Sequence, residues 1–330
     1  MEWAIEVENL VKRYGDFEAV GGISFRVKRG EIFAFLGPNG AGKTTTVHVL
    51  TTLLRPTAGR ASVAGHDVVK EANEVRKRIG IVFQDPSLDS ELTAYENMYI
   101  HGRIYGLGGS ELREKIEELL KFVELWEFRG RQVKTFSGGM QRRLEIARSL
   151  LHEPEVLFLD EPTIGLDPQT RARIWDYIEA MKEEHDMTIF LTTHYMDEAE
   201  MLADRIAIID HGRIIAEGTP EELKRLVGKD VIYLRAEGKA SCIEGDFIRN
   251  CRTLKDGRLA LEVENASEAL PKLFELTSTR GIRILEVTYH RPTLNDVFLY
   301  LTGREIRDEA DEREAVRERM RKRMRLFGRR

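Results

Sequence analysis

Cysteine is scarce in this chain of 330 residues, which carries only Cys242 and Cys251. Neither has histidines or acids around it at the spacing of metal ligands, and both lie outside the motifs described below. Two isolated cysteines fit a reducing compartment better than the disulfide framework of a secreted protein. They can still pair with each other if the fold brings them together.

Long apolar runs are missing as well. The most apolar segments, such as Glu155 to Leu159, are far too short to cross a bilayer, and the first residues lack the basic start and apolar stretch of a targeting signal. The net charge of -5 is small for this length, so no global field points to nucleic acid or to acidic substrates. We therefore expect a soluble chain, without a nucleic-acid partner, whose role at a membrane would require another protein.

The pattern of apolar residues predicts two domains and a tail. Alternation from Ala4 to Val11 and from Ile23 to Val27 predicts an N-terminal antiparallel sheet, and the continuous run Ile32 to Leu36 predicts a buried parallel strand. Strands and helices alternate after it, which is typical of an α/β domain. The predicted parts are an α/β domain over 1–226 with a helical lobe at about 90–150, a small α+β domain over 230–303, and a basic, charged tail over 304–330.

A glycine-rich segment stands between the predicted strand and a predicted helix from Lys43 to about Leu54. Its sequence, Gly37-Pro38-Asn39-Gly40-Ala41-Gly42-Lys43-Thr44, fits the G-x-x-x-x-G-K-[ST] pattern of a phosphate-binding loop. The glycines let backbone N–H groups point at phosphates, Lys43 adds a positive charge, and the Thr44 hydroxyl can ligate Mg²⁺. Because an ordinary glycine-rich turn rarely has this context, we predict a site for a nucleoside triphosphate.

Two adjacent acids, Asp160 and Glu161, follow the predicted strand Val156 to Leu159. Solvated acids at a strand end would be the favoured interpretation of this segment alone. Its position after a phosphate loop favours chemistry instead, with Asp160 in the shell of the Mg²⁺ and Glu161 as the base that orients or deprotonates an attacking water.

These motifs and three others stand in the order found in the ATP-binding subunits of ABC transporters, which the chain resembles over roughly residues 4 to 225. The other three are Ser137-Gly138-Gly139, Gly165-Leu166-Asp167 and Leu191-Thr192-Thr193-His194. Residues 291–299 are similar to the closing segment of the daunorubicin-type drug-resistance exporters. The resemblance implies a P-loop ABC ATPase fold of class α/β, with a mostly parallel sheet, an N-terminal antiparallel β subdomain and a helical lobe. It also implies ATP and Mg²⁺ as cofactors.

The resemblance gives roles to three further side chains. Tyr14 matches the aromatic residue that stacks on adenine, Gln84 the glutamine that senses Mg²⁺ and water, and His194 the histidine that contacts the γ-phosphate. Taken singly they would be a core tyrosine, a polar strand end and a structural histidine. The implied nucleotide contacts are Tyr14, Gly37, Pro38, Asn39, Gly40, Ala41, Gly42, Lys43, Thr44, Thr45, Ser137, Gly138, Gly139 and Asp167; the implied catalytic residues are Lys43, Gln84, Glu161 and His194, and the implied metal residues are Thr44, Gln84 and Asp160.

The Ser137-Gly138-Gly139 turn indicates a site shared between two chains. Ser137 can cap the helix that follows, and the free N–H groups of that helix attract an anion. In the resembled family this anion is the γ-phosphate bound by the other subunit, so two ATP molecules lie in a head-to-tail homodimer and Asp167 lies at its interface. Met140 replaces the usual glutamine of this motif, which leaves any contact of that fifth side chain open.

The resemblance therefore implies an exporter ATPase that drives a separate integral-membrane permease from the cytoplasmic face, with drugs, lipids or other hydrophobic compounds as cargo. A soluble ABC ATPase acting on DNA or ribosomes is the alternative. Lys43 and Ser137 lie too close in sequence for the long coiled coil of the DNA-associated members, and the chain has one ATP module where translation-type members usually have two. A binding-only module conflicts with the presence of both Glu161 and His194.

The C-terminal parts carry no chemical motif. The domain over 230–303 has an expected role in assembly, by analogy alone. In the tail, Val316, Met320, Met324 and Phe327 would line one face of a helix among arginines, as in a basic helix on an anionic membrane. A solvated, frayed tail is an equally supported alternative.

Overall fold

The computed structural model describes residues 2–185, 187–237, 242–254 and 258–302. These residues form two compact units that divide between Pro220 and Glu221. The assignment of domains to 1–226 and 230–303 stays a prediction, and the tail predicted over 304–330 lies outside the described residues.

Strands and helices alternate through most of the first unit. Within the described residues the strands are β1 (Trp3–Tyr14), β2 (Phe17–Lys28), β3 (Ile32–Leu36), β4 (Ala58–Val63), β5 (His66–Asp67), β6 (Ile79–Val82), β7 (Val156–Asp160), β8 (Thr188–Thr193), β9 (Arg205–Asp210), β10 (Arg213–Gly218), β11 (Asp230–Ala236), β12 (Ile248–Thr253), β13 (Leu259–Val263) and β14 (Ile284–His290). The helices are α1 (Lys43–Leu50), α2 (Ala72–Arg78), α3 (Ala94–Ile104), α4 (Gly109–Phe122), α5 (Gly138–Leu150), α6 (Pro168–His185), α7 (Met196–Leu202), α8 (Pro220–Arg225), α9 (Ala266–Thr279) and α10 (Leu294–Thr302).

The centre of the first unit is a six-stranded sheet with the order β10-β9-β3-β8-β7-β6. All of its neighbouring strands are parallel except β10, which pairs antiparallel with β9. Every residue of β3, β7 and β8 is buried, as expected for strands covered on both faces. The predicted parallel core is confirmed, and the carboxyl ends of these three strands meet at one edge of the sheet.

The N-terminal strands form a second sheet of order β2-β1-β4-β5. Its strands are antiparallel, as predicted. Phe25 of β2 joins it to the central sheet, because its ring stacks on Phe33 at 5.4 Å between centroids and lies 5.5 Å from Phe35. Aromatic packing therefore fixes the antiparallel sheet against the strand that leads into the phosphate loop.

A helical lobe, formed by α3, α4 and α5, has an apolar core of its own. Leu112, Ile116 and Leu120 lie on one face of α4 at helical spacing and are fully buried. Thr93 and Glu96 form a capping box that starts α3. The lobe thus stands where the sequence predicts a helix-rich insertion.

The second unit is built on an antiparallel sheet of order β12-β13-β11-β14, with α9 packed against its apolar face. The sequence predicts strands of this unit at 231–235, 259–264 and 282–288 and does not predict β12. A disulfide joins Cys242 to Cys251 of β12, with their Cα atoms 5.7 Å apart. The fold therefore realises the pairing that the sequence leaves open.

Candidate functional site: the nucleotide cavity

The phosphate loop connects β3 to α1 at the carboxyl edge of the central sheet. Gly42 precedes α1 with a φ of 103°, a conformation that favours glycine, and a Cβ atom there would lie 2.5 Å from the carbonyl oxygen of Ala19. At Gly42 the loop therefore has the backbone geometry that the motif predicts. The helix after it is shorter than predicted, since α1 ends at Leu50 and Thr52 takes a left-handed φ of 66°.

Lys43 is buried at the base of this loop, with 4% of its surface exposed. Its Nζ donates to the carbonyl oxygens of Gly37 at 2.7 Å and Pro38 at 3.2 Å. It also forms an ion pair with Glu161 Oε1 at 3.0 Å. The buried side chain of Lys43 thus connects the phosphate loop to the residue that follows β7.

Glu161 and His194 form the centre of the site. His194 Nδ1 lies 3.0 Å from Glu161 Oε2, and both residues are 5% exposed. Burial raises the pKa of the Glu161 carboxyl, but the hydrogen bond with His194 and the charge of Lys43 outweigh burial and leave that pKa below its usual value. Glu161 is therefore an ionised carboxylate held between two cationic or hydrogen-bonding partners.

Asp160 and Thr44 lie next to this pair. The Thr44 hydroxyl is 3.3 Å from Asp160 Oδ1, and the hydroxyl of Thr192 donates to the same oxygen. Burial raises the pKa of Asp160, and the hydrogen bonds from Thr192 and Thr44 offset only part of that rise. The arrangement collects a carboxylate and hydroxyl oxygens, which are the donors that Mg²⁺ prefers.

A cavity of about 340 Å³ opens above these groups. Within the described residues it is lined by Tyr14, Phe17, Ala19, Asn39, Gly40, Gly42, Lys43, Thr44, Thr45, Gln84 and Glu161. Tyr14 is 48% exposed at the end of the β1–β2 hairpin. Gln84 lies just beyond β6, and its backbone carbonyl accepts a hydrogen bond of 2.9 Å from Arg142. Seven of the fourteen residues predicted to contact the nucleotide therefore line one cavity, together with Gln84 and Glu161 of the predicted catalytic set.

Ser137, Gly138, Gly139 and Asp167 lie elsewhere, and among the described residues they are not part of the lining of that cavity. Ser137 caps α5, with its Oγ accepting from the backbone N–H of Met140 at 3.3 Å. Asp167 caps the start of α6, accepting from Thr170 Oγ1 at 2.6 Å. Within one chain the structure thus separates these residues from the phosphate loop.

Sequence reasoning missed three contributors. Thr192 forms hydrogen bonds with both acidic residues: its hydroxyl donates to Asp160 and accepts from the backbone N–H of Glu161 at 3.1 Å. Phe17 lines the cavity beside Tyr14, and Arg142 holds the Gln84 loop. Thr192 stands inside a recognised motif, but only the pairing of β7 with β8 reveals what its hydroxyl contacts.

Comparison with known proteins shows the family to which the chain is similar. A family model described as "ABC transporter" matches residues 20–164, and one described as "ATP-binding protein DrrA1-3-like, C-terminal domain" matches residues 218–302. The chain is 47% identical over 304 residues to the daunorubicin resistance ATP-binding protein DrrA3 of Streptomyces coeruleorubidus, covering 91% of this chain and 96% of that protein. It is 42% identical to the Nod factor export ATP-binding protein I of Ralstonia nicotianae, covering 92% and 95% of the two chains.

A solved structure gives the same result for the fold. It is a dimeric ATP-binding cassette bound to ADP and Pi, 29% identical to this chain with a TM-score of 0.60, and the match covers 65% of this chain and 98% of that one. Among the described residues, no helix is both long and apolar enough to cross a membrane. The chain therefore belongs to the ABC transporter family, as an ATP-binding subunit that hydrolyses ATP.

Proposed function

We propose that this ATPase drives an exporter of drugs, lipids or other hydrophobic compounds by acting on a separate membrane permease. The proposal is supported by relatives whose names include daunorubicin resistance, Nod factor export and linearmycin resistance. Because these names cover different compounds, they support a class of export system and no particular cargo. The subunit would lie at the cytoplasmic face of the membrane, held there by the permease.

The single observation that carries the proposed mechanism is the position of Glu161 between Lys43 and His194, at 3.0 Å from each. An ionised carboxylate can orient a water and accept its proton, and His194 limits the positions that the carboxylate can take. Lys43 would meet the phosphates of ATP from the floor of the cavity. In this mechanism Glu161 is the base, and His194 and Lys43 position it and the γ-phosphate.

Mg²⁺ is the second part of the proposal. Thr44, Asp160 and Gln84 would hold it, and the fit rests on the 3.3 Å approach of Thr44 to Asp160 at the cavity where Gln84 also lies. When bound, the ion would neutralise phosphate charge and fix the orientation of the phosphates. The oxygen donors of these side chains suit such a hard cation.

A head-to-tail homodimer is the third part. Among the described residues, Ser137, Gly138 and Gly139 at the start of α5 do not line the cavity of their own chain, and a dimeric cassette is among the similar structures. In a dimer this helix would meet the γ-phosphate bound by the partner, with Asp167 at the interface. The second unit would serve assembly, and the tail stays a candidate for contact with the membrane surface.

Glu161→Gln tests the mechanism. Without a carboxylate to accept the proton, we expect turnover to fall at least about 100-fold, in the range that removal of a general base costs. ATP binding should persist, and an ATP-bound dimer should accumulate in light scattering. Glu155→Gln is the matched control, because Glu155 precedes β7 at the opposite end from Glu161 and is 39% exposed. Normal turnover by Glu161→Gln would refute the assignment of the base.

A further inference from the structure

Glu198 is a fully buried acid that lies outside the nucleotide cavity. It belongs to α7 and comes four residues after His194, which lies just before that helix. Its Oε1 accepts two hydrogen bonds, one of 2.7 Å from the Thr163 hydroxyl and one of 3.1 Å from the indole Nε1 of Trp175. Burial raises the pKa of Glu198, and its hydrogen bonds offset only part of that rise. The contacts of Oε1 are those of a hydrogen-bond acceptor shared by two donors.

The first donor belongs to the turn that follows the proposed base. Glu161 has a φ of 47°, a left-handed conformation that a non-glycine residue keeps only where its surroundings impose it. The turn after it is closed by backbone hydrogen bonds of 3.2 Å, from Ile164 to Glu161 and from Leu166 to Thr163. The hydroxyl of Thr163 is fully buried, and its bond to Glu198 attaches this turn to α7.

The second donor belongs to α6, the helix that Asp167 caps. Trp175 and Arg171 lie one turn apart on the same face of α6. The guanidinium carbon of Arg171 lies 4.1 Å from the centroid of the Tyr195 ring, and that ring lies 4.1 Å from the ring of His194. Arg171 and Trp175 of α6 therefore both contact the segment from His194 to Glu198. Of the residues in that segment, Glu198 also contacts the Glu161 turn, through Thr163.

We propose that Glu198 is a positioning residue for ATP hydrolysis, whose buried carboxyl group holds the Glu161 turn, α6 and the His194 segment in one arrangement. The inference rests on the proposed roles of Glu161 and His194. Its consequence is a link from Asp167, at the start of α6, to the geometry of the base, so that contacts made by α6 with a partner chain would set the position of Glu161. Glu198 itself touches neither nucleotide nor water in this scheme.

The test compares Glu198→Ala with Glu198→Gln in the full chain, measuring kcat, the KM for ATP and the thermal midpoint. Loss of the acceptor should lower kcat at least about tenfold, since the buried Thr163 hydroxyl and the partly buried Trp175 N–H lose their partner and the turn relaxes. The KM should stay within about twofold, because Glu198 lies outside the cavity, and Glu198→Gln should restore kcat to within about threefold of the parent, since an amide oxygen keeps both bonds.

Glu31→Ala is the control for loss of stability alone. Glu31 is also a buried acid, 7% exposed, but it pairs with Arg205 at 2.9 Å at the end of β3 remote from the phosphate loop. The Glu31→Ala substitution should lower the thermal midpoint and leave kcat unchanged at temperatures below unfolding. A Glu198→Ala protein that keeps its kcat, or a Glu198→Gln protein as impaired as Glu198→Ala, would overturn the proposal.

Two further variants keep the test decisive. If Glu198→Ala does not fold, Thr163→Val removes one donor only and should still lower kcat at least about threefold with KM unchanged, and full activity of that variant would overturn the proposal. Glu161→Gln is measured alongside. Full activity of Glu161→Gln refutes the proposed base whatever Glu198 does, whereas an inactive Glu161→Gln with a fully active Glu198→Ala refutes the positioning role alone.

Discussion

At the residue scale, the site depends on contacts between side chains that are far apart in sequence. The motifs predict that Lys43, Glu161 and His194 belong to the site. Nothing in their spacing predicts that Glu161 contacts both of the others at 3.0 Å. That contact follows from the parallel pairing of β3 with β8 and of β7 with β8, which places the ends of the three strands side by side. The sequence identifies the participants, and the sheet determines which of them touch.

Thr192 provides a prediction at this scale. Replacing it with valine leaves Asp160 with one donor fewer and the backbone N–H of Glu161 with one acceptor fewer, so we expect the free energy of unfolding to fall by about 1–3 kcal/mol. The kcat should fall as well, because the same hydroxyl positions both carboxylate residues. Urea unfolding and steady-state hydrolysis provide the measurements.

Thr192→Ser is the matched variant, since it keeps the hydroxyl and removes only a methyl group. It should retain most of the stability and activity that Thr192→Val loses. Equal loss in the two variants would show that packing of the methyl group matters and that the hydrogen bonds do not.

At the element scale, the ease of prediction follows burial. The strands β3 and β7 are continuous apolar runs, and the sequence predicts both. By contrast, the sequence does not predict β12, an edge strand with polar residues and a burial pattern without alternation, or α2, which is short and mostly charged. Such elements are held by neighbours in the fold, and a local pattern carries no information about those neighbours.

The contact of α3 with the core provides a prediction about pH. His101 of α3 lies beside Tyr105, whose ring stacks on His152 at 3.8 Å between centroids. Burial, with a smaller contribution from the charge of Arg148, lowers the pKa of His101 to about 4. The unfolded chain binds this proton with a pKa near 6.5, so stability should be lost as the pH falls from about 6.5 to about 4.

We expect this loss to reach roughly 1–2 kcal/mol after allowance for solvent screening. His101→Gln should reduce the difference in unfolding free energy between pH 7 and pH 4.5, measured by urea unfolding. His211→Gln is the control, because the His211 side chain is 80% exposed. An unchanged difference in His101→Gln would exclude His101 as its source.

The disulfide of the second unit provides another element-scale prediction. Cys242 and Cys251 close a short loop, with a sequence separation of 9. A loop of this size should contribute about 2–3 kcal/mol by restricting the unfolded chain. Reduction, or the Cys242→Ser/Cys251→Ser pair, should lower the unfolding transition of this unit and leave ATP hydrolysis unchanged, as checked by calorimetry and turnover. If a reductant lowers the midpoint of the double variant as much as it lowers that of the parent protein, this assignment is contradicted.

At the scale of the whole molecule, the central question is what completes the site. The cavity contains Lys43, Thr44 and Glu161, whereas Ser137 and Asp167 cap helices outside its lining. A helix N-terminus attracts anions, and here α5 begins at Gly138, which is exposed, directly after the capping residue Ser137. In the homodimer proposed above, a second copy of the chain would supply this helix to the γ-phosphate.

Mixed dimers test that arrangement. With Glu161→Gln in both chains to stop hydrolysis, Lys43→Ala removes the phosphate-loop half of a site and Ser137→Arg blocks the α5 half. Either doubly substituted chain alone should fail to form an ATP-dependent dimer, because every site in such a dimer lacks one half. An equal mixture should form heterodimers, since one site then combines an intact Lys43 with an intact Ser137 from the other chain. Mass photometry with bound-nucleotide analysis should find one ATP for every two chains. Dimers formed by the Ser137→Arg chain alone, with one ATP per chain, would show that each site is complete within its own subunit.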